Sequence, residues 1–304
     1  MLHIISLYVL ALFTTALHLE AMADAIPPLK CVTFNLLHGG VFSGLVGNGQ
    51  HLERRLEMVG EEFRALDADV IGLQEASVSH GRGNIAERLA AQLGFHWVYA
   101  PAHFHLFSSQ TLNAVTTWVM NFSEGPAIVS RFPIVASQAY DLPRCGRWAD
   151  ARVLLCAELQ TPWGPLQACS THLSGNLCQA KEIMELLRDR RGAAPVVLMG
   201  DMNALEDSPA MLLFTQEMGF LDTFRAANPT APGFTVWQRV YATRPMVSRR
   251  VDYLFFLPGR DFSGNVLASQ LVFNTPQPLQ DGSVLWPSDH YGVLSELEMF
   301  APPT

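Results

Sequence analysis

Apolar positions along this chain follow two rhythms, and the points where each rhythm stops carry as much information as the runs. The stretch CVTFNLLHG alternates and then turns polar, so it reads as a strand ending at Asn35. The glycine-rich loop GGVFSGLVGNG follows, without the Gly-Lys-Ser/Thr ending of a P-loop. From His51 the residues Leu52, Leu56, Val59, Phe63 and Leu66 recur at helical spacing. Next comes ADVIGLQEA, a continuous apolar strand expected to end in Gln74-Glu75. A helix near Asn84 to Leu93, a strand in FHWVYA, a long segment from Pro101 to Phe122 and strands in GPAIVSRFPIVAS come after it. A hairpin around Trp163 leads to STHLSG, a helix near Gln179 to Arg190 and the strand VVLMGD. In that last strand Val196 and Leu198 point to one face and Val197 and Met199 to the other, as in a strand buried on both sides. Gly200 is expected to let the backbone approach a substrate or metal, with Asp201 and Asn203 projecting to one side. Ser208 suits the N-cap of a further helix, with Pro209 as its first residue. The strands RRVDYLFF and GVLSELEM close the chain.

This order keeps no strict βαβ rhythm and places hairpins in the middle. It predicts an α/β fold with sheets packed face to face and helices outside, rather than an open parallel sheet. Neither an internal repeat nor a Pro- or Ser-rich linker divides the chain, so residues 24–304 are expected to form a single domain.

Composition adds compartment and partner. The chain has 304 residues, 49% hydrophobic and 16% charged, enough for a substantial core. Its start is largely apolar from Ile4 to Leu17 and reaches Ala21-Met22-Ala23, an A-x-A pattern, so residues 1–23 read as a signal peptide cut near Ala23. That n-region has no Lys or Arg, and an uncleaved N-terminal membrane anchor is the alternative. The net charge is −8, or −7 without a leader whose only charged side chain is Glu20, which argues against a broad basic groove for nucleic acid. Export permits disulfides, and the five cysteines, an odd number, leave at least one thiol unpaired. A hairpin turning on residues 161–164 would set Cys156 opposite Cys169, and Cys145 and Cys178, both in loops beside site residues, could form a second bridge; reduced, buried thiols are the other reading.

Eight polar residues close the apolar strands: Asn35, Glu75, His172, Asp201, Asn203, Asp252, Asp289 and His290. A single Asp after a strand is an ordinary turn former or helix cap, but eight groups that bind hard cations and move protons form a pattern. Glu75, Asp289 and the Asn35 carboxamide offer the oxygen ligands preferred by Mg²⁺ or Mn²⁺, whereas zinc would want more nitrogen or sulfur. His290, beside Asp289, suits a general base acting on water, and Asp252 is the carboxylate that could fix its tautomer. Arg144, Arg147, Arg249 and Arg250 lie near these strand ends and could meet a phosphate.

The segments TFNLLHG, DVIGLQE, EGPAIVSRFPI, STHLS, GDMNA, RRVDYLFF and SDHYGVLSELE occur in that order from Cys31 to Met299. Together they resemble the endonuclease/exonuclease/phosphatase, or DNase I-like, superfamily. The resemblance implies a four-layer αββα sandwich with two central mixed β-sheets and a site at one end of the sheets. It implies Glu75 as principal metal ligand with Asn35 and Asp289, and Asp201 and Asn203 as the residues that position water and phosphate. It further implies a His290–Asp252 acid–base dyad and His172 as a donor to a phosphate oxygen. The stretch before Glu124 matches no form of the family pattern.

The reaction class so implied is metal-dependent hydrolysis of a phosphate ester. The THL histidine and the SDHY ending look closer to the sphingomyelinase and phosphatase branches than to abasic-site endonucleases. Export and acidity point the same way, toward a secreted Mg²⁺-dependent phosphodiesterase acting on a membrane lipid headgroup or small phosphoester. An extracellular nuclease and a catalytically inactive binding protein are the alternatives. The segment from Pro101 to Phe122 is long, aromatic and short of charge, as expected of a lid or lipid-facing loop, or of extra strands burying their own side chains; His103 and His105 within it read as ordinary polar contacts.

Overall fold

In the computed structural model of the chain, which describes residues 26–37, 51–102, 111–112, 115, 123–145, 151–188, 194–260 and 263–300, two mixed sheets each gather strands from distant parts of the sequence. The first contains β1 (Leu29–Asn35), β2 (Val70–Ser79), the short β3 (Gly83–Asn84), β4 (His96–Tyr99) and β5 (Ser123–Ser130). The second begins with β6 (Ile134–Leu142), β7 (Arg152–Thr161), β8 (Gly164–His172) and β9 (Val196–Asp201), joined by β10 (Leu221–Asp222) and β11 (Asp252–Leu257). The chain then returns to the first sheet with β12 (Ser263–Val272), passes through the small hairpin of β13 (Gln277–Pro278) and β14 (Val284–Leu285), and ends in β15 (Gly292–Phe300). The strand orders are β12-β15-β1-β2-β5-β4, with β3 beside β2, and β10-β11-β9-β8-β7-β6. Only the central pairs β1–β2 and β8–β9 are parallel; the other pairs in these two sheets are antiparallel.

Alternation sorts the side chains into layers. On β9, Val197 and Met199 face the space between the sheets, with Val70, Leu254 and Phe256, while Val196 and Leu198 face outward. The outer face of the second sheet is covered by α3 (Leu177–Arg188) and α4 (Pro209–Leu212), through Ile183, Met184 and Met211. On the first sheet, Val32, Phe34, Ile71 and Leu73 pack against Leu56 and Phe63 of α1 (Leu52–Leu66) and Leu89 of α2 (Ile85–Leu93). The result is the four-layer αββα sandwich. Local chemistry agrees: the Asn84 side chain caps α2 by accepting from Ala86 N–H, and Ser208 accepts from Met211 N–H with Pro209 opening α4. Asp222 caps the short α5 (Thr223–Ala227) likewise.

The sheets meet closely where β2 crosses β9: a Cβ on Gly72 would lie 2.7 Å from Met199 Cβ. Gly200 is needed for a different approach from the one the sequence suggests, since a Cβ there would lie 2.5 Å from the carbonyl oxygen of Thr171, its partner on β8. The strand β2 also does not stop at Glu75. It continues to Ser79 through a bulge, because the pairing with β5 steps from Leu73–Ala127 to Ala76–Gly125. The edge strand β12 was not foreseen; SGNVLASQLV is polar and weakly alternating.

Cys156 and Cys169 are directly paired across β7 and β8 and form one disulfide; Cys145 and Cys178 form the other, and Cys31 is a buried free thiol. The leader, the glycine-rich loop, most of the segment from Pro101 to Phe122 with His103 and His105, and Arg147 lie outside the described residues.

Candidate active site

The strands end together at one edge of the sandwich, and register decides which side chains meet there. Asp201, last on β9, is in register with His172, last on parallel β8, and with Asp252, first on antiparallel β11. All three share the parity of Val197 and Met199, so they continue the inter-sheet face into its polar rim. Asn35 closes β1 on the facing sheet and donates from Nδ2 to Asp201 Oδ2 at 3.1 Å and Glu75 Oε1 at 3.2 Å. The Leu37 N–H, 3.0 Å from Asn35 Oδ1, fixes that orientation and occupies one lone pair of the carboxamide oxygen.

Glu75 reaches the cluster because of the bulge. It adopts φ +54°, in the left-handed region that non-glycine residues rarely occupy. Below it, Gln74 fills the inter-sheet layer, accepting from Thr33 Oγ1 at 3.3 Å and donating to Ser170 Oγ at 3.2 Å. One extra residue thus turns two consecutive polar side chains to use.

His290 Nδ1 is 3.0 Å from Asp252 Oδ2 and 3.2 Å from Oδ1. A carboxylate can only accept, so Nδ1 carries the proton and Nε2 is left facing Asp201 Oδ2 at 3.7 Å and Asp289 Oδ1 at 4.0 Å. The Ser288–His290 turn is held from two sides: Ser288 Oγ donates to Asn35 O at 2.7 Å, and Gln238 N–H to Asp289 O at 2.7 Å. His172 Nε2 lies 3.3 Å from Asp201 Oδ2, its Nδ1 4.0 Å from Glu75 Oε1, and Asn203 Nδ2 is 3.0 Å from His172 Nε2. Every one of the eight residues is therefore connected to the others through contacts of 4.0 Å or less.

Electrostatics match this crowding. Burial and the neighbouring Asp252 raise the Asp201 pKa to about 7, against the opposing pull of His290 and the N–H donors of Asn203 and Asn35. Burial opposes the charged form of His290, but Asp252 and Asp201 outweigh it and lift its pKa to about 10. Asp201, Asp252 and His290 each offer a ligand atom within 4.8 Å of the others. Four carboxylates and a carboxamide, anionic and partly buried with too little opposing charge, suit a hard divalent cation.

The arginines divide differently from expectation. Arg250 is buried, ion-paired to Glu206 and Asp222, and stacked 4.5 Å from the Tyr253 ring, so it is committed to the fold and is not free to meet a phosphate. Arg249 is exposed and lies 4.2 Å over Trp237, while Arg144 is half-buried in the loop after β6. Two arginines were missed. Arg152, first on β7, lines a small recess with Glu75, Glu124 and His172; its Nε donates to Ser174 Oγ at 3.1 Å, and its terminal nitrogens have no partner among the described residues. Glu124, the first residue of the segment EGPAIVSRFPI, borders the same recess. Arg55 lies buried behind the site, donating to the carbonyls of Leu36, Leu37 and Pro287. Its sequence signal was its place three residues after Leu52 and four before Val59, on the apolar face of α1.

A sandwich of this topology with carboxylates and histidines at one end defines a class of phosphoester hydrolases. The sequence model of the endonuclease/exonuclease/phosphatase family matches residues 32–290, and the chain belongs to that family, whose members hydrolyse phosphoesters and generally depend on divalent metals. Solved structures with the same fold include an endonuclease/exonuclease/phosphatase from Beutenbergia cavernae, 23% identical, with a TM-score of 0.63 over 92% of this chain and 74% of that one. The mannosyl-6-phosphatase Bt3783 of Bacteroides thetaiotaomicron is 16% identical, with a TM-score of 0.68 over 88% of this chain and 99% of that one. The human Nocturnin catalytic domain is 20% identical, with a TM-score of 0.63 over 90% of this chain and 94% of that one. No curated protein matches the chain.

Proposed function

We propose that the protein is an exported, divalent-metal-dependent phosphodiesterase that hydrolyses a phospholipid headgroup or another small phosphoester by direct attack of water. The observation that carries this reading is the relay from Asp252 through His290 toward Asp201, with Glu75 across Asn35 on the facing sheet.

Glu75, with Asn35 and Asp289, would hold Mg²⁺ or Mn²⁺. Such a cation acts as a Lewis acid on a phosphoryl oxygen and offsets charge developing in the transition state. The chain's own groups do the rest. His290, its pKa drawn down from about 10 when a cation's positive charge is present, keeps one proton, fixed on Nδ1 by Asp252, and Nε2 takes a proton from water as that water's oxygen bonds to phosphorus. The bond to the leaving alkoxide then breaks, that oxygen takes a proton from solvent water, and His290 returns to solvent the proton it gained. Asp201 and Asn203 orient the water and the phosphate, and His172 and Arg152 donate to the non-bridging oxygens. The net charge of −8 favours a small or headgroup substrate over a long nucleic acid, and the sugar-phosphate activity named for Bt3783 accords with that.

The test is hydrolysis of sphingomyelin, lysophospholipid, inositol phosphates, plasmid DNA and bis-p-nitrophenyl phosphate, with Mg²⁺ and with EDTA. Metal-dependent turnover of a lipid or small ester supports the reading. Turnover of DNA in preference to these substrates replaces it with a nuclease, and no turnover of any substrate replaces it with a binding protein.

A further inference from the structure

We propose that Arg55 is a positioning residue that clamps together the two strand ends supplying the cation site. Arg55 is only 1% exposed, on the face of α1 otherwise filled by Leu52, Leu56, Val59 and Phe63. Burying a guanidinium carries a desolvation penalty that an aliphatic side chain at the same place would not incur, so its presence asks for a return beyond packing. The bonds it makes show where that return falls. Nη1 donates to Leu36 O at 2.6 Å and to Pro287 O at 3.0 Å, and Nη2 donates to Leu37 O at 2.6 Å.

These carbonyls belong to two remote segments. Leu36 and Leu37 follow Asn35 as β1 leaves the sheet; Pro287 precedes Ser288, Asp289 and His290. Both segments are turning, so their carbonyls have lost ladder partners and need other donors. One planar fork satisfies three of them and fixes the distance between the segments, which the compact ammonium of lysine cannot reproduce. The Ser288 bond to Asn35 O makes a second tie between the same segments, on the site side of the clamp. The guanidinium also brings one positive charge toward the carboxylates: burial pulls its pKa down to about 10, with Asp289, Tyr241 and Glu75 acting in the opposite direction, so it stays charged at neutral pH.

This inference rests on the proposed cation site, and the experiment separates the two. Mn²⁺ binding to the full chain is measured by calorimetry for wild type, Arg55→Lys and Arg55→Met, alongside circular dichroism, thermal unfolding and bis-p-nitrophenyl phosphate hydrolysis. Loss of an outer-shell group of this kind lowers metal affinity by about 10- to 100-fold, and Arg55→Met is expected in that range, with Arg55→Lys between it and wild type. Folded variants that bind Mn²⁺ like wild type, with only the melting temperature lowered, overturn the clamp and leave the proposed function standing. If Arg55→Met does not fold, Arg55→Lys decides by the same criterion. If wild type itself takes up no Mn²⁺, the proposed function falls, and the clamp with it.

Discussion

His290 and Asp252, 38 residues apart, meet at 3.0 Å with both side chains buried, and the carboxylate leaves the imidazole no choice about where its first proton sits. His290→Ala is expected to lower turnover by about 10²-fold or more, the range of a lost general base. Asp252→Asn frees the tautomer and is expected to lower turnover while circular dichroism stays unchanged. Activity within a few-fold of wild type in a folded His290→Ala protein would assign proton transfer elsewhere.

Glu75 reaches the site only through the bulge in β2, and its carboxylate accepts from Asn35 at 3.2 Å. Glu75→Gln keeps the shape and removes the charge. The concentration of Mg²⁺ giving half-maximal activity is expected to rise by at least roughly tenfold, as for other losses at a metal site. An unchanged Mg²⁺ titration takes Glu75 out of the ligand set.

The metal-free protein is expected to lose stability as pH rises. Both shifts are upward, Asp201 from 3.8 to about 7 and His290 from 6.5 to about 10. A raised pKa means that the folded state favours the proton, so each contribution is full below the unfolded value and disappears as pH passes the folded one. In EDTA the unfolding temperature should therefore fall between about pH 4 and pH 10 on account of these two groups. A divalent cation supplies the missing positive charge and should lower the His290 pKa, moving its imidazole resonances in an NMR titration toward the neutral form at pH 8. An imidazole whose titration ignores the cation would place the metal away from His290.

Intact mass is expected to show two disulfides, with one thiol, Cys31, labelled only after unfolding. Loss of the Cys145–Cys178 bridge, which spans 33 residues, should cost about 2–4 kcal/mol. It should also impair activity more than loss of Cys156–Cys169, because it ties the chain leading into Arg152 to the start of α3. Equal effects on turnover from the two bridges would count against a link to the site.

The eight candidate residues were legible as a pattern because each lies at or just beside the end of an apolar strand, where polar groups can satisfy one another only if the strand ends converge. The αββα layering needed the family resemblance, since alternation tells that β9 is buried on both faces without telling what covers it. Arg152 and Arg55 escaped for opposite reasons. Arg152 opens a strand, where a charged residue is ordinary, and only the neighbouring sheet reveals Glu75 beside it. Arg55 sits among the apolar positions of α1, and its carbonyl partners lie up to 232 residues away. The polar edge strand β12 gains its place from pairing with β15, which no local pattern announces.

Asn35 and Glu75 ride on one sheet, and His172, Asp201 and Asp252 on the other, so their meeting is set by the gap between the sheets. That gap is close where Gly72 lies under Met199, and a single methyl group there is a wedge. Gly72→Ala is expected to reduce hydrolysis although no chemically active side chain is changed, and Met199→Gly in the same chain, which removes the Cβ that the new methyl group meets, should restore part of it. If Gly72→Ala leaves the rate unchanged, the sheets tolerate the wedge without parting. The rate of hydrolysis would thus serve as a gauge of intersheet distance, read at a point several residues inside the core.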